Sequence, residues 1–526
     1  MLDSSPDSPV KSTGEPTVCG DPADSDQVPE SVRATDIATA DALPNLYTHG
    51  DVWFVVGLVS LAALASPFPA TIYFPALPIL TQVFHETTER LNLTLTIFLV
   101  PMAVFPMIWG PLSDRWGRRP CIIASLGILT LTCVGLALVP TNAFWLLMLL
   151  RFTQSAGCTG TVALGAGAIA DITTRANRGG YFGAFNVGPM VGPCVGPVVG
   201  GLLAQYLGWR SIFWFLTIFS AVLFKILLVF LPETLPCIVG DGSIQPSLIY
   251  RPWIKIIRRG GEHQSSVIAQ KPPPKPLCNP FALVVHLDIL VGLFYASVSF
   301  AIQYSISGTL ANAYKVHYPF LNSANVGLCY LANGGGLILG AIINGRLLDF
   351  DYRRARDKFT RSSQDKAMNG HMHDTFPLES VRLQWSPYFV IMYAACVVGW
   401  GWCVEKSVLL AGPLILQVCL GFACISIINT IMTLMVDLVP AQSSSIIACV
   451  NFMRASLAAI VISVQDKAIS SVGYGWTYTI LGAICALMLP LVFMEINVGP
   501  IYRKRRRQSG TSSASTNVEL SASLQP

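Results

Sequence analysis

The sequence predicts an all-α polytopic membrane protein with twelve transmembrane helices in two six-helix bundles and both termini cytoplasmic. Three observations predict it. Only 12% of the 526 residues are charged and 52% are hydrophobic, against about 25% charged in soluble domains, so a water-facing surface cannot be assembled from this chain. The apolar residues collect into twelve runs, each long enough to cross a hydrocarbon core of about 30 Å. The Lys and Arg residues fall mainly into alternate segments between those runs, as they do in a chain threaded back and forth through a bilayer.

Taken in order, residues 1–51 are rich in Ser, Asp, Pro and Thr and lack the charged-then-apolar layout of a cleavable signal, so they read as a disordered cytoplasmic tail. Apolar runs at 53–80, 92–111, 119–139, 143–170, 181–206 and 211–231 make an N-terminal six-helix bundle over residues 52–231. Residues 232–283 include Arg251, Lys255, Arg258, Arg259 and Lys271-Pro-Pro-Pro-Lys275-Pro. That stretch is too polar and too rich in proline to span, and is assigned as a cytoplasmic linker. Runs at 284–312, 324–348, 386–404, 408–436, 442–464 and 474–496 form a second six-helix bundle over 284–498. Residues 499–526, with Arg503-Lys504-Arg505-Arg506-Arg507, are a basic cytoplasmic tail within reach of anionic lipid.

With both tails inside, 26 of the 34 Lys and Arg residues lie on inner segments, and five (Arg90, Arg210, Lys315, Lys406, Lys467) lie on outer loops. Basic loops resist translocation, so this asymmetry fixes the orientation. The net charge of +5 is too small and too dispersed for a nucleic-acid footprint. The 14 cysteines are scattered, many inside apolar runs, without paired spacing. They read as small packing residues and give no metal site or disulfide framework. The sequon Asn92-Leu-Thr94 opens the second run and is a candidate glycosylation site close to the membrane.

Between the second and third runs stands Gly110-Pro-Leu-Ser-Asp114-Arg115-Trp-Gly117-Arg118-Arg119-Pro120. Gly110 and Gly117 suit a tight reversal, and Pro120 suits the first turn of the next helix. Asp114 can pair with its neighbouring arginines, a contact able to form and break, although the arginines would also serve simply to hold the loop inside. This segment resembles the signature inner loop of the major facilitator superfamily, Gly-x-x-x-Asp-Arg-x-Gly-Arg-Arg. Gly345-Arg346-Leu-Leu-Asp349 resembles its decayed second copy. The resemblance implies two halves rocking about a midplane solute site, with Gly110, Asp114, Arg115, Gly117, Arg118 and Arg119 as a conformational latch.

The fifth run carries Gly188-Pro189-Met-Val-Gly192-Pro193-Cys-Val-Gly196-Pro197-Val-Val-Gly200. Glycine every fourth residue leaves a smooth stripe for close packing, and each proline removes a backbone hydrogen bond, so this helix is expected to be bent or soft and to act as a moving seam. The stripe is similar to the antiporter motif of the twelve-span drug:proton antiporter family. Tyr73-Phe74-Pro75-Ala76-Leu77-Pro78 and Asn451-Phe-Met-Arg454 also resemble fungal members of that family. This implies export of a small solute in exchange for protons. The proton gradient would supply the energy, with no cofactor, in a monomer in the plasma membrane of a fungal-like cell.

A charge near the bilayer centre costs roughly 2.5–17 kcal/mol before relief, so each needs a reason. Arg151 lies deep in the fourth run, and by resemblance to the superfamily's fourth-span motif is implied in proton coupling. Arg454 lies near the middle of the eleventh and is a candidate substrate or coupling residue. Lys225, close to an end of the sixth run, can snorkel to the headgroups. The carboxylates Asp171, Asp288, Glu405 and Asp437 all fall at expected run ends. A positive interior without a central carboxylate favours an organic anion, a di- or tricarboxylate such as citrate or itaconate, because arginine suits carboxylates. Tyr73, Gln154, Gln303, Tyr304, Asn333 and Asn429 complete the candidate cavity set.

A multidrug or secondary-metabolite efflux antiporter is the alternative, with polyamine export and a solute-sensing receptor behind it. An enzyme is not expected, because the chain has no His-Glu-x-x-His, P-loop or Gly-x-Ser-x-Gly. His371-Met-His373 reads as a solvated loop.

Overall fold

The computed structural model describes residues 48–173, 178–239, 250–254, 287–368, 377–438 and 443–503, and all regular structure among them is helical. The first helix, α1 (His49–Leu64), opens with a reciprocal cap in which Thr48 Oγ1 accepts from the Asp51 amide and Asp51 accepts from the Thr48 amide. Prolines at 67, 69, 75 and 78 then break the path into α2 (Phe68–Thr71), a 3-10 turn (Phe74–Ala76) and α3 (Leu77–Phe84). Thr87 caps α4 (Thr88–Trp116), which holds three internal prolines and stops at Gly117. Gly117 has φ of 99°, and a side chain there would run into the Glu233 carboxylate.

The first half continues as α5 (Arg118–Leu138), α6 (Phe144–Cys158), α7 (Gly160–Ile172), α8 (Arg178–Tyr206), α9 (Arg210–Phe230) and the short α10 (Pro236–Val239). The second half comprises α11 (Leu287–His317), α12 (Ser323–Met368), α13 (Leu378–Leu383), α14 (Ser386–Glu405), α15 (Ala411–Leu438), α16 (Ser443–Ala486) and a last helical stretch at 489–503.

Ten helical stretches among the described residues are long and apolar enough to cross a membrane, where the sequence suggested twelve. Two places account for the difference. The fourth run is split into α6 and α7, each shorter than a span, although Thr159 between them keeps helical angles (φ −69°, ψ −21°). The eleventh and twelfth runs merge into one stretch, Ile446–Arg503. Within it Gly473 leaves the helix (φ 81°, ψ 173°), and the residues after it pass beside Trp402, Gly401 and Val398 in turn, antiparallel to α14.

One boundary moves furthest. The eighth run was expected to end at 348, but α12 is helical to Met368. The added turns are rich in Arg and Lys and hold no Gly or Pro, so they continue a helix in water once a nucleus exists. Of the expected 232–283 linker only 232–239 and 250–254 are described, and the tails at 1–47 and 504–526, with His371 and His373, lie outside the described residues.

Within the first half α5 packs on α9 and α6, and α1 on α8; within the second, α12 packs on α15, and α16 on α11 and α14. Between the halves α8 meets α12 and α4 meets α16. The bundle thus has a signature-loop end, marked by Gly117, and an opposite far end, marked by the turns at 85–87 and 318–322.

Candidate solute site

Inside the bundle two guanidinium groups face a band of aromatic rings that crosses from one half to the other. Arg151 of α6 is fully buried, clamped between the Tyr73 ring at 4.2 Å and the Phe98 ring at 4.4 Å. Its Nη1 donates to Gln154 Oε1 (2.7 Å) and to the Pro69 carbonyl (3.3 Å). Tyr73 is itself held by the Thr94 hydroxyl (3.1 Å), and Gln154 Nε2 reaches Cys133 Sγ (3.2 Å). Next to Tyr73 in the chain, Phe74 crosses to the second half, edge-on to Tyr304 with centroids 5.4 Å apart. Tyr304 contacts Phe300 at 5.7 Å, and the Arg454 guanidinium lies 4.3 Å over Phe300. Arg454 Nη2 donates to Asn451 Oδ1 (3.0 Å).

The band is short of acceptors. Arg151 Nε and Nη2, Gln303 Nε2, the Tyr304 hydroxyl and Arg454 Nε are buried and have no hydrogen-bond partner among the described residues. Neither arginine has an ion-pair partner there. Cation–π contacts give about 2 kcal/mol each when desolvated and hydrogen bonds to charged groups about 1.5–3, which covers only the lower part of the cost of burying a guanidinium. The remaining need is for negative charge and acceptor oxygens, as a bound carboxylate supplies.

Gln303, Asn333 and Asn429 also make contacts within the second half. Gln303 Oε1 accepts from Tyr393 (3.4 Å). Asn333 lies against the backbone of Gly421 on α15, and Asn429 is half-buried with its carbonyl taken by Thr433. Lys225 is exposed on α9.

At the signature-loop end Arg118 gathers three segments. Its Nη2 meets Asp114 (2.7 Å), its Nη1 donates to Ser113 (2.6 Å), and its Nε meets Asp171 at the end of α7 (2.9 Å). Asp114 is 61% exposed, whereas Asp171 is largely enclosed. Glu233, past the end of α9, accepts the amides of Arg118 (2.8 Å) and Arg119 (3.2 Å) and those of Thr234 and Leu235. Burial lifts the Glu233 carboxyl above its ordinary range, with the four amides pulling the other way. Arg119 donates to the Leu231 and Leu228 carbonyls. Arg115 is exposed, and Gly110 faces open space. The second half repeats the buried part of this brace: Arg382 pairs with Asp437 (2.8 Å) and donates to the Leu348 carbonyl (3.2 Å), while Asp349 is exposed.

The glycine stripe of α8 faces the first segment, inside its own half. A Cβ on Gly188 would strike the Ser60 carbonyl, one on Gly192 would lie 2.7 Å from Pro67 Cγ, one on Gly196 would strike Thr71, and one on Gly200 the Ile72 carbonyl. Ser60 and Thr71 stitch this contact by donating to the Phe185 and Gly192 carbonyls (3.0 Å each). The seam between halves uses a neighbouring face of α8. There Gly201 stands against Ser323 and Gly327, the Pro197 carbonyl against Gly327, and Cys194 against Gly334. Residues one apart on a helix point about 100° apart, which is why the stripe and the seam separate. Pro189 and Pro193 lie within a continuous α8.

Among the described residues four polar contacts join the halves at the far end: Asn92 to Asp466 (2.6 Å), Thr96 to Ser463 (3.1 Å), Glu89 to Lys467 (3.2 Å) and the Ser323 amide to Gln205 (3.1 Å). Asn92 is 2% exposed with its side-chain nitrogen engaged. A glycan would be attached through that nitrogen, so this arrangement leaves it no room. Sequence reading missed Asp466, two residues past the expected end of the eleventh run, and missed Glu233 and the Arg382–Asp437 pair, whose partners lie far apart in sequence. Asp466 alone had a local signal: the polar Gln465-Asp466-Lys467 stretch continues without a helix breaker until Gly473.

The model of the family described as Major Facilitator Superfamily matches residues 59–463. "MFS-type transporter phiD" from Fungal sp. (strain ATCC 74256) is 33% identical, over 88% of this chain and 72% of the relative. "Citrate exporter 1" of Aspergillus niger is 30% identical over 90% of this chain and 91% of its own, and "Multidrug transporter QDR2" of Candida glabrata is 30% identical over 91% and 86%. The crystal structure of the human organic anion transporter MFSD10 (TETRAN) superposes with a TM-score of 0.53 at 18% identity, over 83% of this chain and 98% of that one.

Proposed function

Because the chain belongs to the Major Facilitator Superfamily and is a multi-pass membrane transporter, we propose that it exports an organic acid anion, of the di- or tricarboxylate kind, by proton-coupled alternating access. The observation that carries this reading is the set of buried donors on Arg151, Gln303, Tyr304 and Arg454, without partners among the described residues, along one aromatic band. A carboxylate accepts from several of them at once, whereas a cation would meet two like charges. The similarity to a citrate exporter agrees with it.

In this reading the chain crosses twelve times. The fourth crossing is α6 with α7, the last two are the arms on either side of Gly473, and both termini are cytoplasmic. The signature-loop end is then the inner end, the far end is extracellular and shut by its four polar contacts, and the carrier works as a monomer in the plasma membrane of a fungal-like cell. The Arg118 brace stiffens the first half at the inner side while the α8–α12 and α4–α16 seams move. A proton gradient supplies the energy.

The aromatic band itself favours a second reading. Phe74, Phe300 and Tyr304 offer ring faces suited to a flat lipophilic compound, as in multidrug efflux, and a relative of equal identity carries the name multidrug transporter.

Efflux from cells preloaded with a labelled dicarboxylate or a cationic dye, at two external pH values, separates the two readings. The anion reading expects pH-sensitive loss of the carboxylate from wild type, and its retention in Arg454→Ala. Loss of the dye with the acid retained would overturn it in favour of multidrug efflux.

A further inference from the structure

The far-end contact between Asn92 and Asp466 is incomplete in a way that one proton would repair. Asn92 Nδ2 donates to Asp466 Oδ2 at 2.6 Å, while Asn92 Oδ1 is buried with no hydrogen-bond partner among the described residues. An ionised carboxylate only accepts, so it cannot serve that oxygen. A protonated carboxyl offers one donor and one acceptor, the complement of a carboxamide. No basic side chain pairs with Asp466 among the described residues. From its own helix Lys467 reaches instead to Glu89 of α4 (3.2 Å), and Tyr474 gives its amide to Glu405 of α14 (2.9 Å). Arg90 of α4 is turned to Glu86 (3.0 Å), and His317 of α11 lies edge-on to Tyr474 at 5.6 Å. The nearby acid Glu89 opposes a further negative charge, and Lys467 is already paired with it.

We propose that Asp466 is a proton-binding site, and that its proton shuts the far end by letting the carboxyl donate to Asn92 Oδ1 while still accepting from Nδ2. The O–H bond of the acid is kept, and no other group changes its protonation. Because the two residues belong to opposite halves, the shut state binds this proton more tightly than the open one. By linkage, acid on the far side then favours the shut state. This deepens the alternating-access reading and does not depend on which solute is carried.

The test is the distance between spin labels on unnatural amino acids at Leu207 and Leu409, exposed far-end positions in the two halves, in full-length protein in lipid nanodiscs without solute. Wild type should show the short distance in mildly acidic buffer and shift toward a longer one in mildly alkaline buffer. D466N, whose amide donates and accepts as the acid does, should keep the short distance at both. N92L, which can do neither, should lose the pH response. A wild-type distance that ignores pH, or a pH response in either variant equal to that of wild type, would overturn the proposal. A carrier that moves no carboxylate can still pass this test, and one that moves carboxylates can fail it, so the two readings fall separately.

Discussion

The Arg454 guanidinium carbon lies over the Phe300 ring, 4.3 Å from its centroid, and Arg454 presents an Nε–H that no described residue accepts. Contact with the ring holds the fork in place, and its place decides which solute oxygens it can meet. Lysine keeps the charge but has neither plane nor fork. Arg454→Lys should therefore lower carboxylate export about tenfold or more with normal surface expression, read as initial efflux rate.

Tyr304→Phe removes a buried hydroxyl that has no partner among the described residues. A packing role predicts no loss, because deleting an unpaired polar group is close to neutral. A solute role predicts a rise in KM of roughly tenfold, the worth of one hydrogen bond to a charged ligand at about 1.5 kcal/mol, with Vmax little changed. Concentration series in proteoliposomes distinguish the two.

The two acids on Arg118 are unequal. Asp114 is mostly exposed and Asp171 mostly enclosed, and exposed pairs contribute about 0–1 kcal/mol while breaking a buried one costs about 3–5. Asp171→Asn should lower the unfolding temperature of the purified protein well below that of Asp114→Asn. Asp114→Asn should slow transport with insertion intact. Equal stability of the two variants would show that Arg118 does not rely on the buried partner.

Glycines of α8 separate in the same assay. Gly200→Ala forces a methyl group into the Ile72 carbonyl, and overpacking of this kind costs about 1–3 kcal/mol. Gly183 has open space beside it, so Gly183→Ala should be neutral or stabilising by up to about 1 kcal/mol through helix propensity. Gly192→Leu should stop exchange by wedging α8 away from the first segment.

The long apolar helices were legible because a bilayer imposes one crude rule, and apolar length reports it directly. Arg151 and Arg454 were legible for the same reason, since a charge inside an apolar run is visible without knowing its neighbours. The pairing of Asp114 with Arg118, four residues apart, was legible; the distant pairings were not. The second acid on Arg118 is 53 residues away and the one beside its amide 115, and nothing in either local sequence names the other. The helix through 349–368 was missed because hydropathy marks where a chain leaves lipid, while a helix continues as long as its own residues favour it. The glycine stripe showed that some helix packs closely on α8, but only the fold shows that the partner lies in the same half.

Glu233 belongs to the chain that leaves the first bundle, yet it closes the start of α5 with a single carboxylate. The first half therefore has its own clasp, and that clasp lies beyond its last long helix. If the protein were made as two separate polypeptides, a break placed after Val239 would leave the clasp with the helices it fastens, whereas a break at Leu231 would strand it on the wrong piece. Where the halves can be divided is thus set by this one side chain and not by where the apolar sequence stops.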